Sequence, residues 1–408
     1  MRQIGSLLCS TLLCAAAAGA AHAGIVTAPG ADLAVSLITY GPGDVYWERF
    51  GHDAIEIRDR VSGQAVSFNY GVFDFDERGF LLNFARGYMH YMIDAEPTGA
   101  DERFYRDSGR SIASQRLRLS AAQAAKLRDF LLWNLQPQNA GYNYDYLLDN
   151  CATRVRDALD RVLGGALRKA LSARPGAMTY RQQIDRLTSG QAWMMLALDL
   201  GMGPSADRAL NAWQESFLPM VLQRQLRAVR IADAGGGFAP LVLRERRVAP
   251  NRLEPPPQQP PDLRIPLALA GLAYAALILA LRRRAPRAYA LAAGAFLAAA
   301  GFIGVLLACL WTLTMHRIAW DNANLLLFNP LAFALLPAVW RARRGGGLGA
   351  SSRALLGLQL AAVLLAALLH LLPDGVQQNQ PWLLFAICCW GALAYSFRGA
   401  ANFRGAPA

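Results

Sequence analysis

Hydrophobic positions follow two patterns along this 408-residue chain. From about residue 24 to residue 262 they come in short periodic groups between polar turns; from 265 to 397 they form long runs of Leu, Ala, Val, Ile and Phe. In the first region, Ala34 to Tyr40 is a largely apolar run that suits a strand, and Gly41-Pro42-Gly43-Asp44 ends it. His52 to Arg58 alternates like a half-buried strand, with Ala65 to Tyr70 as its hairpin partner across a turn at Ser62-Gly63. Arg116 to Leu119 predicts a further strand. Ser120-Ala121-Ala122-Gln123 is a capping box opening a helix to about Leu135, with Ala124, Leu127, Leu131 and Leu135 on one face. A second helix starts near Asn150 with Val155, Leu159 and Val162 as its stripe, and helical stretches near 180–198 and 205–228 complete an α+β domain.

The long runs predict an all-α bundle of about five transmembrane helices, at about 265–281, 289–313, 325–340, 354–372 and 381–397. Residues 1–23 have the layout of a signal peptide: Arg2, a short apolar core, then Ala21-His22-Ala23 before the cleavage point. An exported domain at 24–249 then requires the loops 282–288 and 341–353 to be cytoplasmic. Those loops carry Arg282, Arg283, Arg284, Arg287, Arg341, Arg343, Arg344 and Arg353, whereas the outer loops carry only Arg317. Leader and arginine bias agree, which predicts a multi-pass protein of the bacterial inner membrane with its N-terminal domain in the periplasm or cell exterior. A Pro-rich linker at 250–264 is a stiff spacer before the membrane domain at 265–397, and 398–408 is a cytoplasmic tail.

Composition adds three constraints. The chain is 54% hydrophobic and 17% charged, too apolar for a soluble protein of this size. Its net charge of +12 comes largely from arginines beside the spans, so it signals topology and not nucleic acid. Cys9 and Cys14 leave with the leader and Cys309, Cys388 and Cys389 fall in apolar spans. Cys151 is thus the lone thiol of the exported domain, in an oxidising compartment, and must be either buried or reactive.

Asp149-Asn150-Cys151-Ala152-Thr153-Arg154 puts Cys151 in a first helical turn, where free N–H groups favour a thiolate and can hold an oxyanion. The processed domain holds two candidate bases, His52 at a strand start and His90 among aromatic neighbours; His52 is the better placed. Cys151 and His52 together suggest nucleophile-plus-base chemistry of the papain kind, against the plainer alternatives of an inert buried thiol and a core or surface histidine. Asn69, on the partner strand, is the preferred group to orient the imidazole, ahead of Glu56 and Asp74. The outer loop Met315 to Asn324 gathers His316, Asn322 and Asn324 where membrane and exported domain meet; it is either a substrate-binding element or a polar turn, and Asn329 inside a span needs a partner. No zinc ligand set, phosphate-binding glycine loop or Gly-x-Ser-x-Gly elbow is present, so the predicted site uses neither metal nor cofactor.

Phe50-Gly51-His52-Asp53-Ala54-Ile55-Glu56-Ile57-Arg58-Asp59 and Phe68 to Phe75 resemble the N-terminal signature of the Lnb family of bacterial lipoprotein N-acyltransferases. Asn150-Cys151-Ala152-Thr153 resembles its cysteine motif; Gly203 to Asp207, Trp213 and Phe217-Leu218-Pro219 resemble its later segment, and the His316–Asn324 loop with Asn329-Pro330 resembles the membrane half of longer members. The resemblance implies acyl transfer from a phospholipid to the N-terminal amine of a diacylated lipoprotein, with Cys151 as nucleophile and His52 as base. It is also similar to circularly permuted papain-like enzymes, which include lipid acyltransferases and cell-wall peptidases. A cysteine peptidase or amidase acting on cell-wall peptides, and a non-enzymatic membrane scaffold, are the competing functions. An apolar groove beside Cys151 would favour the acyltransferase, a polar one the peptidase.

Overall fold

The computed structural model describes residues 27–74, 76–232, 236–344, 347–372 and 377–398, so the expected leader and the tail beyond Arg398 lie outside the described residues. The chain forms two compact units, Met1–Tyr180 with Ala209–Gln258, and Arg181–Arg208 with Gln259–Ala408. A segment from the middle of the N-terminal region, Arg181–Arg208, is thus grouped with the membrane unit.

The first unit is built on a seven-stranded antiparallel sheet. Its elements in chain order are β1 (Leu33–Tyr40), β2 (His52–Asp59), β3 (Ala65–Val72), α1 (Phe80–Arg86), β4 (Met89–Pro97), α2 (Thr98–Asp107), β5 (Ile112–Leu117), α3 (Ala121–Asn134), β6 (Gly141–Tyr144) and α4 (Cys151–Val162). A small ribbon, β7 (Arg230–Ala232) with β8 (Phe238–Pro240), precedes β9 (Val242–Ala249), and the sheet order is β6-β4-β3-β2-β1-β5-β9. All eight residues of β1 are buried because it is central and covered on both faces. Register places Val35 opposite Ile57, Leu37 opposite Ile55, and Ile55 opposite Phe68. These side chains form one apolar face, against which Leu127 and Leu131 of α3 and Val155 and Leu159 of α4 are buried. Each such aliphatic side chain contributes roughly 1.5–3 kcal/mol by leaving water. The opposite face carries Ile38, Tyr40 and Ala54.

The predicted strands, the Ser120 capping box and the helix after Asn150 all form. The strand expected at Arg116–Leu119 lies earlier, at Ile112–Leu117. The helix expected over 180–198 is two, Tyr180–Thr188 and Ala192–Gly201, interrupted around Gly190. The stretch 205–228 breaks into short pieces, the last starting at Pro219, which suits a first helical position.

In the second unit five segments are long and apolar enough to cross a membrane: Arg264–Arg284, Pro286–Leu313, Ala323–Ala342, Ala350–Leu369 and Gln380–Phe397. The third is irregular, with 3-10 turns at Ala323–Leu326 and Pro330–Leu335 before a helix at Leu336–Ala342. Backbone carbonyls freed at membrane depth need internal donors. Gln359 Nε2 donates to the carbonyls of Leu326 and Leu327, and Trp390 Nε1 also donates to Leu327. Asn329, expected to need a partner, donates to Gln359 Oε1. Gly304 lets this irregular span approach, since a Cβ there would stand 2.4 Å from Asn329 Cα.

Candidate active site

Asn150 caps α4: its Oδ1 accepts from Thr153 N–H at 2.9 Å, and Thr153 Oγ1 accepts from Asn150 N–H at 2.7 Å. Its amide nitrogen also donates to the carbonyls of Tyr146 and Phe217. Arg154 forms a two-point pair with Asp149 and lies over the Tyr142 ring, bracing the turn that presents Cys151. Cys151 is thus the first residue of a firmly capped helix, 9% exposed.

The thiol sits at the N-terminal end of β2, where it accepts hydrogen bonds from the backbone N–H groups of Asp53 and Ala152. His52 is the residue before Asp53. Gly51, with φ +79°, makes the turn into this strand, and a Cβ there would meet Met220 Sδ at 2.7 Å and the Tyr40 carbonyl at 2.9 Å. Ala54 pairs with Asn69, which sets His52 and Asn69 on the same sheet face, and His52 Nε2 lies 3.0 Å from Asn69 Oδ1. Asn69 Nδ2 donates to Asp101 Oδ2 of α2 at 2.8 Å. That bond fixes the amide orientation, so Oδ1 accepts and Nε2 carries the imidazole proton. Nδ1 is left as the basic nitrogen. His52 stacks with Tyr40 and Tyr105, and Arg110 lies over Tyr105 with its Nε donating to the Gly41 carbonyl.

A helix start favours a thiolate, but burial works against it here. Burial pushes the Cys151 thiol up to about 12, against the hydrogen bonds from Asp53 and Ala152 and the charge of Arg110, while the Asp53 carboxylate adds to the rise. Desolvation outweighs the helix terminus here. His52 keeps one solvent-reachable edge, but packing around its ring pushes it down to about 4; the Asn69 bond opposes this and Arg110 adds to it. Both partners therefore rest uncharged at neutral pH. Burial also raises Asp53 to about 7 and Asp101 to about 6, although Thr39 and Asn69 respectively hold their charged forms. Arg110 Nη2 and Asp53 Oδ2 are buried without a hydrogen-bond partner.

Beyond the thiol the walls are aromatic. β3 bulges at Gly71, and the atoms that a Cβ there would meet first are the Tyr144 ring at 3.7 Å, Cys151 Cβ at 3.9 Å and Tyr142 Oη at 3.9 Å.

Of the other candidates, His90 is exposed on β4 opposite Asn143, Glu56 is held by Ser36 and Arg58, and Asp74 is exposed in a turn. Asp101 and Arg110 are missed by the sequence reading. Thr98-Gly99-Ala100-Asp101 reads as an ordinary helix start, and Arg110 has no local signature among 41 basic residues. His316, Asn322 and Asn324 lie in the second unit. There Asn322 Nδ2 and Asn324 Nδ2 both donate to the Leu200 carbonyl, and their oxygens accept from Gln377 and Asn379. These bonds brace the loop from within the second unit. Among the described residues, no group of three or more His, Cys, Asp or Glu side chains has metal-binding geometry.

Two family models match. The one described as the Lnb N-terminal periplasmic domain covers residues 23–186, and the Lnb transmembrane domain covers residues 260–395. No curated protein and no solved structure matches the chain.

Proposed function

Since the chain belongs to the Lnb family, as a multi-pass inner-membrane protein with its N-terminal domain in the periplasm, we propose that it is a lipoprotein N-acyltransferase working through a thioester on Cys151. Family membership points to a membrane enzyme of lipoprotein processing. What supports the finer reading is the Cys151 thiol at the start of α4, against the backbone N–H of Asp53, the residue after His52, together with the Asp101–Asn69–His52 chain of hydrogen bonds.

The first step starts from the neutral pair. His52 Nδ1 takes the thiol proton as Sγ attacks an ester carbonyl of a phospholipid, so no free thiolate accumulates. The N–H of Cys151, at the first helical position and outside the capping box, is placed to donate to the developing oxyanion. Collapse breaks the C–O bond; the lysophospholipid oxygen leaves with the proton from His52, and the acyl group stays on Sγ. In the second step the α-amine of a diacylglyceryl-cysteine attacks the thioester, and His52 accepts its proton. The amide forms, the C–S bond breaks, and the sulfur regains a proton. Asn69 Oδ1 holds the Nε2–H throughout, which keeps Nδ1 aimed at the reacting atoms, and Asp101 fixes Asn69. A protonated, buried sulfur also resists oxidation between turnovers, the requirement a lone periplasmic thiol must meet. The aromatic wall favours an acyl chain over a cell-wall peptide.

The test is mass spectrometry of a lipoprotein N-terminus from cells lacking any other N-acyltransferase. A third acyl chain is expected with the wild-type protein and not with Cys151→Ser. No third chain with either, both correctly inserted, overturns the proposal.

A further inference from the structure

The first unit exposes large apolar side chains that the reaction scheme does not use. On α1, Leu81 is 78% exposed, Leu82 55% and Phe84 45%, and on the turn between β1 and β2 Tyr46 and Trp47 are also about half exposed. A soluble surface rarely exposes so many large apolar groups.

These side chains connect inward to the nucleophile. The Tyr144 ring, beside Cys151 at the Gly71 bulge, lies 4.5 Å from Tyr91 between ring centres; Tyr91 lies 4.9 Å from Phe73, and Phe73 lies 5.8 Å from Phe80 at the start of α1. Tyr46 and Trp47 pack edge to face, 4.4 Å between ring centres. An unbroken aromatic strip thus runs from the thiol to an exposed apolar helix. Gly79 and Gly87, both with positive φ, close α1 at its two ends, so the helix stands as a discrete ridge of seven residues. Arg78 precedes it and Arg86 is its last residue, while Asp74 and Asp76 lie in the turn before it.

Resting on the acyl-transfer reading, we propose that α1 is the site where the catalytic domain enters the outer leaflet of the bilayer, and that the aromatic strip is the path by which a phospholipid acyl chain reaches Cys151. The occupant is a lipid for three reasons. The chain is a membrane protein, so a bilayer is always at hand. Exposed Leu and Phe with adjacent Tyr, Trp and Arg match the composition of segments that lie at the headgroup boundary. The strip is continuous with the thiol, which a docking site for another protein would not require. With the donor ester carbonyl at Cys151 Sγ, its acyl chain would lie along these rings towards α1 and the bilayer.

The full-length Cys151→Ser protein in vesicles of phosphatidylethanolamine and phosphatidylglycerol, doped with a phospholipid bearing a diazirine on its acyl chain, gives the direct test. Photo-adducts are expected on the peptide spanning 79–91 as well as on the spans; adducts confined to the spans overturn the proposal. Turnover gives the second test, with Leu81→Ser and Leu82→Ser combined, both exposed positions. Thioester formation from vesicle phospholipid should fall at least tenfold, while acylation of Cys151 by a water-soluble short-chain nitrophenyl ester changes less than twofold. Equal rates from vesicles contradict the portal. If the wild type forms no thioester from phospholipid yet α1 is still labelled, the acyl-transfer reading fails and the lipid-facing surface stands.

Discussion

Two buried polar clusters, one in each unit, are built to opposite ends. In the membrane unit, Arg181 Nε and Nη2 donate to Asp207, Nη1 to the Asp199 carboxylate, and Nη2 also to the carbonyl of Met202. Trp382 Nε1 adds a donor to Asp199, and Asp185 is driven towards its neutral form by burial and by the two carboxylates near it. Arg181 thus answers two carboxylates as a structural ion pair requires, although Asp185 Oδ1 is buried without a partner. At the thiol, burial has instead left Cys151 and His52 neutral, with Arg110 Nη2 and Asp53 Oδ2 lacking partners. Similar desolvation thus yields an ion-paired knot around Arg181 and an uncharged pair at the thiol. The second arrangement is the one that can change its protonation state when substrate arrives.

The contrast can be broken at either cluster. The largest effect is expected from Cys151→Ser, which should lower acyl transfer by at least about 10³-fold with the thermal melt little changed, because the thiol is chemistry and not support. Arg181→Met should do the reverse. It leaves Asp199 and Asp207 buried without their cation, at a cost of about 3–5 kcal/mol in a denaturation experiment in detergent. A loss under about 1 kcal/mol would show that the knot is not structural. Asn69→Ala should reduce turnover about 10²-fold by freeing the imidazole, with a smaller loss for Asp101→Asn, read as a fall in kcat at nearly constant KM. The mildest probe is pH. With the thiol pushed up to about 12 by burial, its charged fraction rises about tenfold per pH unit through neutrality, and iodoacetamide alkylation of Cys151 should climb accordingly from pH 7 to 9. A plateau below pH 8 would mean a resting thiolate.

What the sequence discloses follows the range of the interactions involved. β1, β2, β3 and the caps of α3 and α4 are legible because alternation and capping are local, and Cys151, His52 and Asn69 sit on those elements. β9 is hidden because Leu243 to Arg247 is rich in charge; it is an edge strand whose place is fixed only by pairing with β5. Asp101 and Arg110 reach the site through tertiary packing of α2 and the segment after it, which no spacing reports. The helix Ala192–Gly201 carries Leu196 and Leu200 against the core of the bundle, so its allegiance to the membrane unit depends on contacts far along the chain. The upward push on the thiol has the same root: a helix start is visible in sequence, whereas burial is not.

The central claim, that Cys151 carries an acyl chain taken from a phospholipid, is tested most directly by intact-protein and peptide mass spectrometry of the purified protein from vesicles without lipoprotein acceptor. A hydroxylamine-labile acyl adduct on the Cys151 peptide, absent from Cys151→Ser and discharged on adding a diacylated lipopeptide, is the expected result. An unmodified Cys151 peptide in the presence of phospholipid, or an adduct that the lipopeptide amine does not remove, would contradict the account.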